Sequence, residues 1–137
     1  MKNYTFKKEE RLCSKRRIDR LFHNGSSFVV YPYRVVYLNV ESFEDIASPS
    51  QCIISVSKRK FKRAVDRNRL KRQMREVYRL QKSVLYEFLQ EHSLHLLVAF
   101  QYIGKDDVPY VQLFQRMGTV LGRLQDEIHK LNLAKGD

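Results

Sequence analysis

The chain is predicted to fold as α+β, one sheet with helices packed on it. Apolar residues recur at helical spacing in three stretches and alternate or cluster as strands in the stretches between. Turn formers (Asn24-Gly25, Pro32, Pro49 and Gly104 to Pro109) fall at the joints between those stretches. The length of 137 residues, 43% hydrophobic and 30% charged, sets one globular domain spanning 1–137, with residues 1–8 as a mobile basic lead-in.

The first helix is expected from Glu9 to His23, stopped by Asn24-Gly25. Leu12, Ile18, Leu21 and Phe22 share one side of it, while Arg11, Lys15, Arg16, Arg17 and Arg20 share the other. The ordinary meaning of such a pattern is a core stripe under a solvated face. A sharper meaning is that Ile18 and Phe22 border a groove for a nucleic-acid strand. Ser27 to Val40 reads as strand, broken at Pro32, which cannot donate to a ladder. Tyr33, Val35 and Tyr37 point to one face there, and Arg34, Val36 and Leu38 to the other.

Ser42 to Ser50 is a connecting loop, and Gln51 to Ser57 a short, largely buried strand. Lys58 to Lys62 turns into a helix that has neither Gly nor Pro from Arg63 onward. Helical spacing continues past Arg79 through Val84, Leu85, Phe88 and Leu89. One long helix and two helices jointed near Gln81–Ser83 both satisfy that pattern. Leu94 to Ile103 is apolar enough for a central strand. From Tyr110 a last helix carries Phe114, Met117, Leu121, Leu124, Ile128 and Leu131 at three-four spacing, with Asp106-Asp107 placed to cap it. Gly118 and Gly122 offer close approach to a neighbour. With Pro32 counted as a break, the order is α-β-β-β-α-β-α.

Charge is concentrated rather than spread. Lys58 to Arg79 holds 11 Lys or Arg against Asp66 and Glu76 only, a net of +9 out of the chain's +11. Such a block is the footprint of a polyanionic partner. At about 100° per residue, Arg63, Arg67, Lys71, Arg75 and Arg79 form one drifting row, with Asn68 and Arg72 beside it. Leu70, Met74, Val77 and Tyr78 fall on the far side. Asp66 and Glu76 should pair with nearby arginines. Isolated cations elsewhere, including Lys82, Lys105 and Lys135, read as solvated side chains.

Ala64, Val65, Arg67, Asn68, Arg69, Lys71, Arg72, Arg75 and Glu76 match, in one register, the pattern Ala-Val-x-Arg-Asn-Arg-x-Lys-Arg-x-x-Arg-Glu. In these residues the chain resembles the protein subunit of bacterial ribonuclease P. The resemblance covers nearly the whole chain. It implies a single four-stranded mixed sheet in which the basic helix joins two parallel neighbouring strands by a left-handed crossover. Connection rules alone predict a right-handed one.

The resemblance also implies a function. The subunit binds the catalytic ribonuclease P RNA and the 5′ leader of precursor tRNA, and assists endonucleolytic removal of the leader. Catalysis belongs to the RNA, with Mg²⁺ held mainly by it, and the protein alone is expected to be inactive. Carried onto this chain, the RNA-subunit surface comprises Arg67, Asn68, Arg69, Lys71, Arg72 and Arg75, with Lys62, Arg63 and Arg79 flanking. The leader surface comprises Arg11, Lys15, Ile18, Phe22, Tyr33, Tyr37 and Lys58. Ile18 stands where the family commonly has an aromatic ring, and Lys60-Phe61-Lys62-Arg63 replaces a segment that often carries Gly.

The residues fit that division of labour. No Ser, His, Cys or carboxylate arrangement reads as a catalytic site, and His23, His92, His95 and His129 form no metal-ligand pattern. Cys13 and Cys52 are read as free thiols. No apolar run is long enough to span a membrane and the N-terminus lacks a signal-peptide core, so a cytoplasmic protein is expected. A structural ribosomal-RNA-binding protein is the alternative. A DNA-binding basic-helix factor is disfavoured, since neither a heptad zipper nor a helix-turn-helix signal is present.

Overall fold

In a computed structural model, residues 6–41 and 48–135 are described. A short 3₁₀ turn at Lys8–Glu10 leads into α1 (Lys15–Asn24), β1 (Ser26–Val30), β2 (Tyr33–Val40), β3 (Ser50–Val56), α2 (Ala64–Glu91), β4 (His95–Tyr102) and α3 (Tyr110–Lys135). The four strands form one mixed sheet in the order β1-β2-β4-β3. β1 pairs β2 and β2 pairs β4 antiparallel, while β3 pairs β4 in parallel. Most of the Ser42 to Ser50 loop lies outside the described residues.

Two apolar layers bind the helices to the sheet. Val35, Tyr37, Val98 and Phe100 face α2 and α3, where Leu70, Met74, Val77, Leu85, Leu113 and Leu124 are buried. Val36, Leu97 and Ala99 face the other way, under Leu12 of the N-terminal segment and Leu21 of α1. The alternation along β2 therefore sends one half of its side chains to each layer.

The hand of the β3–α2–β4 crossover follows from chirality. Cys52 on β3 turns its side chain toward the α2 layer. Its carbonyl points outward and accepts from the Leu12 N–H at 2.8 Å. For an L-residue in a strand running upward with its side chain toward the viewer, the N–H and C=O point right. Leu12 is thus to the right of β3, and β4 to the left. A helix in front of a leftward step makes the crossover left-handed, against the usual connection rule.

One helix boundary differs from the sequence expectation, and one open choice is resolved. α1 begins at Lys15 rather than Glu9, because the Ser14 hydroxyl caps it by accepting from the Arg17 N–H at 3.3 Å. Residues 8–12 instead form the 3₁₀ turn and a parallel bridge from Arg11 to Cys52 at the β3 edge. The lead-in is accordingly anchored by residue 6, where the Phe6 ring meets Tyr78 edge-on at 5.9 Å. α2 is one continuous helix of 28 residues with no joint near Gln81–Ser83. It closes where Ser93 takes φ 53° and the Leu94 N–H reaches the Leu89 carbonyl at 2.8 Å.

Gly25 ends α1 for a reason of space. Its φ is −76°, open to any residue, but a Cβ there would collide with the Leu21 carbonyl and sit 2.9 Å from that of Tyr37. Gly118 faces Gln81 on α2, whereas nothing lies within 4 Å of a Cβ at Gly122. Asp107 does not cap α3. It reaches across to Arg69 at 2.7 Å, and so fastens the loop before α3 to the start of α2.

Lys82 is the largest departure. It is 2% exposed, and its ammonium pairs with the equally buried Glu10 carboxylate. The Tyr86 hydroxyl donates to the same carboxylate at 2.7 Å. This buried pair fixes the N-terminal segment to the middle of α2.

Candidate nucleic-acid interface

The basic half of α2 projects away from the sheet because the apolar half cannot. Leu70, Met74, Val77 and Tyr78 are fully buried, so the row from Arg63 to Arg79 is forced to the opposite side. Val65, in the first turn, is 69% exposed among those cations.

The cations divide by what they hold. Arg67 donates to the carbonyls of Phe61 and Lys62, both at 2.8 Å, and so shapes the turn that enters the helix. Arg69 pairs with Asp107 at 2.7 Å and Asp66 at 3.5 Å. Arg79 pairs with Glu76 at 2.6 Å. These hydrogen bonds raise the pKa of Arg69 and of Arg79 above the usual guanidinium range, so both stay charged. Lys62, Arg63, Lys71 and Arg72 have no ion-pair partner among the described residues, and Arg75 has only a 3.5 Å contact to the Lys71 carbonyl. Asn68 is exposed beside them. The expected ion pairs of Asp66 and Glu76 are thus present, and they leave most of the row open.

The residues expected at the second surface do not gather in one place. Lys15, Ile18 and Phe22 lie on α1; Ile18 packs on the Leu21 layer and Phe22 is 44% exposed. Lys58 is exposed in the turn after β3. Arg11 stands at the outer edge of β3 and faces α2, not α1. Tyr33 and Tyr37 require correction. Both belong to the layer under α2 and α3, on the face away from α1. Tyr33 is 0% exposed, donates to the Leu113 carbonyl at 3.0 Å, and its phenol pKa is pushed up by burial.

Alternation had placed these two rings together but could not say which face lies under α1. The α1 side instead displays Arg34, which donates to Gln101 at 2.7 Å, and Val29, cross-strand from Arg34 and half exposed. A polar pair across two central strands marks the face that is not fully covered. That signal was available in Arg34, the one cation within β2.

A groove of about 370 Å³ runs between the N-terminal segment, the β3 edge and α2. Phe6 and Ile54 form its apolar side. Arg11 faces Asn68, Lys71 and Arg75 across it.

The sequence model of one protein family, Ribonuclease P, matches residues 6–125, which include every element described except the end of α3. The chain belongs to the ribonuclease P protein family. Among its relatives, the Ribonuclease P protein component of Porphyromonas gingivalis is 42% identical over 109 residues, covering 80% of this chain and 77% of that one. That of Chlorobium phaeobacteroides is 36% identical over 106 residues, covering 73% of each. The fold is shared with the RNase P protein of Staphylococcus aureus (TM-score 0.64, 24% identity, 84% of this chain and 94% of that one). It is equally shared with that of Thermotoga maritima (TM-score 0.64, 24% identity, 83% and 96%). Membership in this family agrees with the resemblance seen in the α2 residues and with the mixed sheet. None of the described helices is long and apolar enough to cross a membrane.

Proposed function

We propose that this chain is the RNA-binding subunit of a ribonuclease P ribonucleoprotein. It binds the catalytic RNA and the 5′ leader of precursor tRNA, and the leader is cut off to give the mature tRNA 5′ end. The observation that carries this reading is the open cationic row on α2 in a member of the ribonuclease P family. Lys71, Arg72 and Arg75 on the helix, with Lys62 and Arg63 in the turn that enters it, present donors only, as a phosphate backbone requires. An RNA duplex hides its base edges, so such a row reads backbone shape. Arg67, Arg69 and Arg79 contribute through the donors their ion pairs and carbonyl contacts leave over.

The leader is assigned to the α1 side of the sheet. Lys15, Ile18 and Phe22 supply one wall, and Lys58 lies in the turn after β3. Arg34 and Gln101 replace Tyr33 and Tyr37 as the sheet's contribution. Phe22→Ala should weaken binding of leader-bearing precursor about fivefold to tenfold, the loss of one stacked ring, and leave mature tRNA binding unchanged. Equal loss for both ligands would remove Phe22 from the leader surface.

Mg²⁺ requires several hard oxygen ligands. The carboxylates of Asp66 and Asp107, Glu76 and Glu10 are taken up by Arg69, Arg79 and Lys82. No three His, Cys, Asp or Glu side chains converge among the described residues. Among the described residues the donor set therefore does not fit a Mg²⁺ site, and the reading leaves the ion and the chemistry with the RNA.

The deciding experiment is reconstitution. The purified chain alone should leave precursor tRNA intact at any Mg²⁺ concentration, and its addition to the ribonuclease P RNA of the same organism should lower the Mg²⁺ needed for cleavage. Cleavage by the protein without RNA, or no effect on the RNA's Mg²⁺ requirement, would overturn the reading.

A further inference from the structure

We propose that the groove between the N-terminal segment and α2 receives one unpaired nucleotide of the RNA partner. The proposal rests on the RNA-binding reading above and adds to it a site for a base, where the arginine row by itself contacts only backbone.

The volume of about 370 Å³ falls in the roughly 300–1,000 Å³ range of sites that enclose a small ligand. It admits a nucleoside and excludes a duplex. The groove is divided as a nucleotide is divided. Phe6 and Ile54, both only partly buried and on the α2 side of the sheet, offer an apolar wall for a base. Arg11, Lys71 and Arg75 stand at the rim, where the flanking phosphates would lie, and no acid lines the groove. An acidic peptide would satisfy the rim but not the paired polar groups between rim and wall.

Those groups are Asn68 and the edge of β3. Asn68 lines the groove, is exposed and has no hydrogen-bond partner among the described residues. Its amide both donates and accepts, as the edge of a base does. Ile54 shares the parity of Cys52, whose carbonyl points outward to Leu12. The Ile54 N–H and C=O therefore point to the same outer edge, beyond the bridge at Arg11. A single base meets a donor and an acceptor from the strand and both from Asn68. Recognition of RNA by base is confined to bases free of pairing, which sets the class of ligand.

Arg11 is held where this site needs it. It bridges Cys52, and its guanidinium lies 5.8 Å from the centre of the Phe6 ring. Its neighbour Glu10 is locked to Lys82.

The test measures affinity of the full chain for the ribonuclease P RNA of the same organism across salt, for wild type, Arg11→Gln, Asn68→Ala and Arg72→Gln. Arg72 lies outside the groove and reports on the general RNA reading. Arg11→Gln should weaken binding about fivefold to tenfold and reduce the salt slope by about 0.7 to 0.9, one phosphate contact. Asn68→Ala should weaken binding by a similar factor with an unchanged slope, the mark of a lost base contact. In a Cys13→Ser background, Asn68→Cys carrying an aryl azide should photo-crosslink to one unpaired nucleotide. Wild-type behaviour of Arg11→Gln and Asn68→Ala while Arg72→Gln loses slope would overturn the groove alone. Crosslinks scattered along paired segments would do the same. Loss of no slope in any variant would remove the RNA reading itself.

Discussion

Glu10→Gln is expected to destabilise the protein by about 3–5 kcal/mol, the largest effect of any single substitution considered for this chain. The change is nearly isosteric and removes only a charge. It leaves the Lys82 ammonium buried at 2% exposure without its counter-charge. Two rings also lie near the ammonium, Phe6 at 5.8 Å and Tyr86 at 5.0 Å, and they attract a cation far less than a carboxylate does. The Tyr86 hydroxyl, which donates to Glu10 at 2.7 Å, would then face an amide. Lys82→Met should be much milder in the company of Glu10→Gln than Glu10→Gln is alone. Replacing both members of a buried pair removes the desolvation of two charges along with their attraction, and is often neutral. Chemical denaturation of the two single variants and the double variant measures the coupling. Additive effects within about 0.5 kcal/mol would show that the two side chains do not meet in the interior.

That pair also marks where sequence reasoning stopped. Helical spacing was sufficient for the buried stripe of α2, since Leu70, Met74, Val77, Tyr78, Leu85 and Leu89 are apolar and all buried. The same stripe passes through position 82, where a lysine broke the pattern and was read as solvated. Its partner is 72 residues away in the chain, in a segment read as the start of a helix, and no local pattern links them. Tyr33 and Tyr37 fail for a related reason. Period-two alternation fixes which side chains share a face, whereas the choice of face under α1 depends on the packing of three helices. The crossover shows the opposite case. General connection rules favour a right hand, and the family resemblance carried by nine α2 residues pointed to the left hand that the β3 edge displays. The cationic face of α2 was legible because charge concentrated on one side of a helix is a local property. The division of its arginines into open and committed was not, because Asp107 comes from a distant loop.

The open members of the row lead to the second large effect. Lys71→Gln, Arg72→Gln and Arg75→Gln combined should lower affinity for the ribonuclease P RNA about a hundredfold near 0.15 M salt, and reduce the slope of log K against log salt by about 2.7, three phosphates at roughly 0.9 each. Folding should be nearly unaffected, since Lys71 and Arg72 engage no acid among the described residues and Arg75 makes only a long carbonyl contact. Arg69→Gln is the informative comparison. Its ion pairs with Asp107 and Asp66 are solvent-accessible, worth at most about 1 kcal/mol, and its charge is already partly neutralised toward the RNA. It should therefore cost less slope than any one of the three. Arg67→Gln should differ again, because its donors hold the Phe61 and Lys62 carbonyls. Losing them should lower stability by about 1 kcal/mol and loosen the turn that aims the helix. Filter binding over a salt series, with thermal unfolding of each variant, separates the three classes. Equal slopes for Arg69→Gln and Arg72→Gln would mean that the ion pairs seen in the free protein open on binding, and that the whole row reaches the RNA alike.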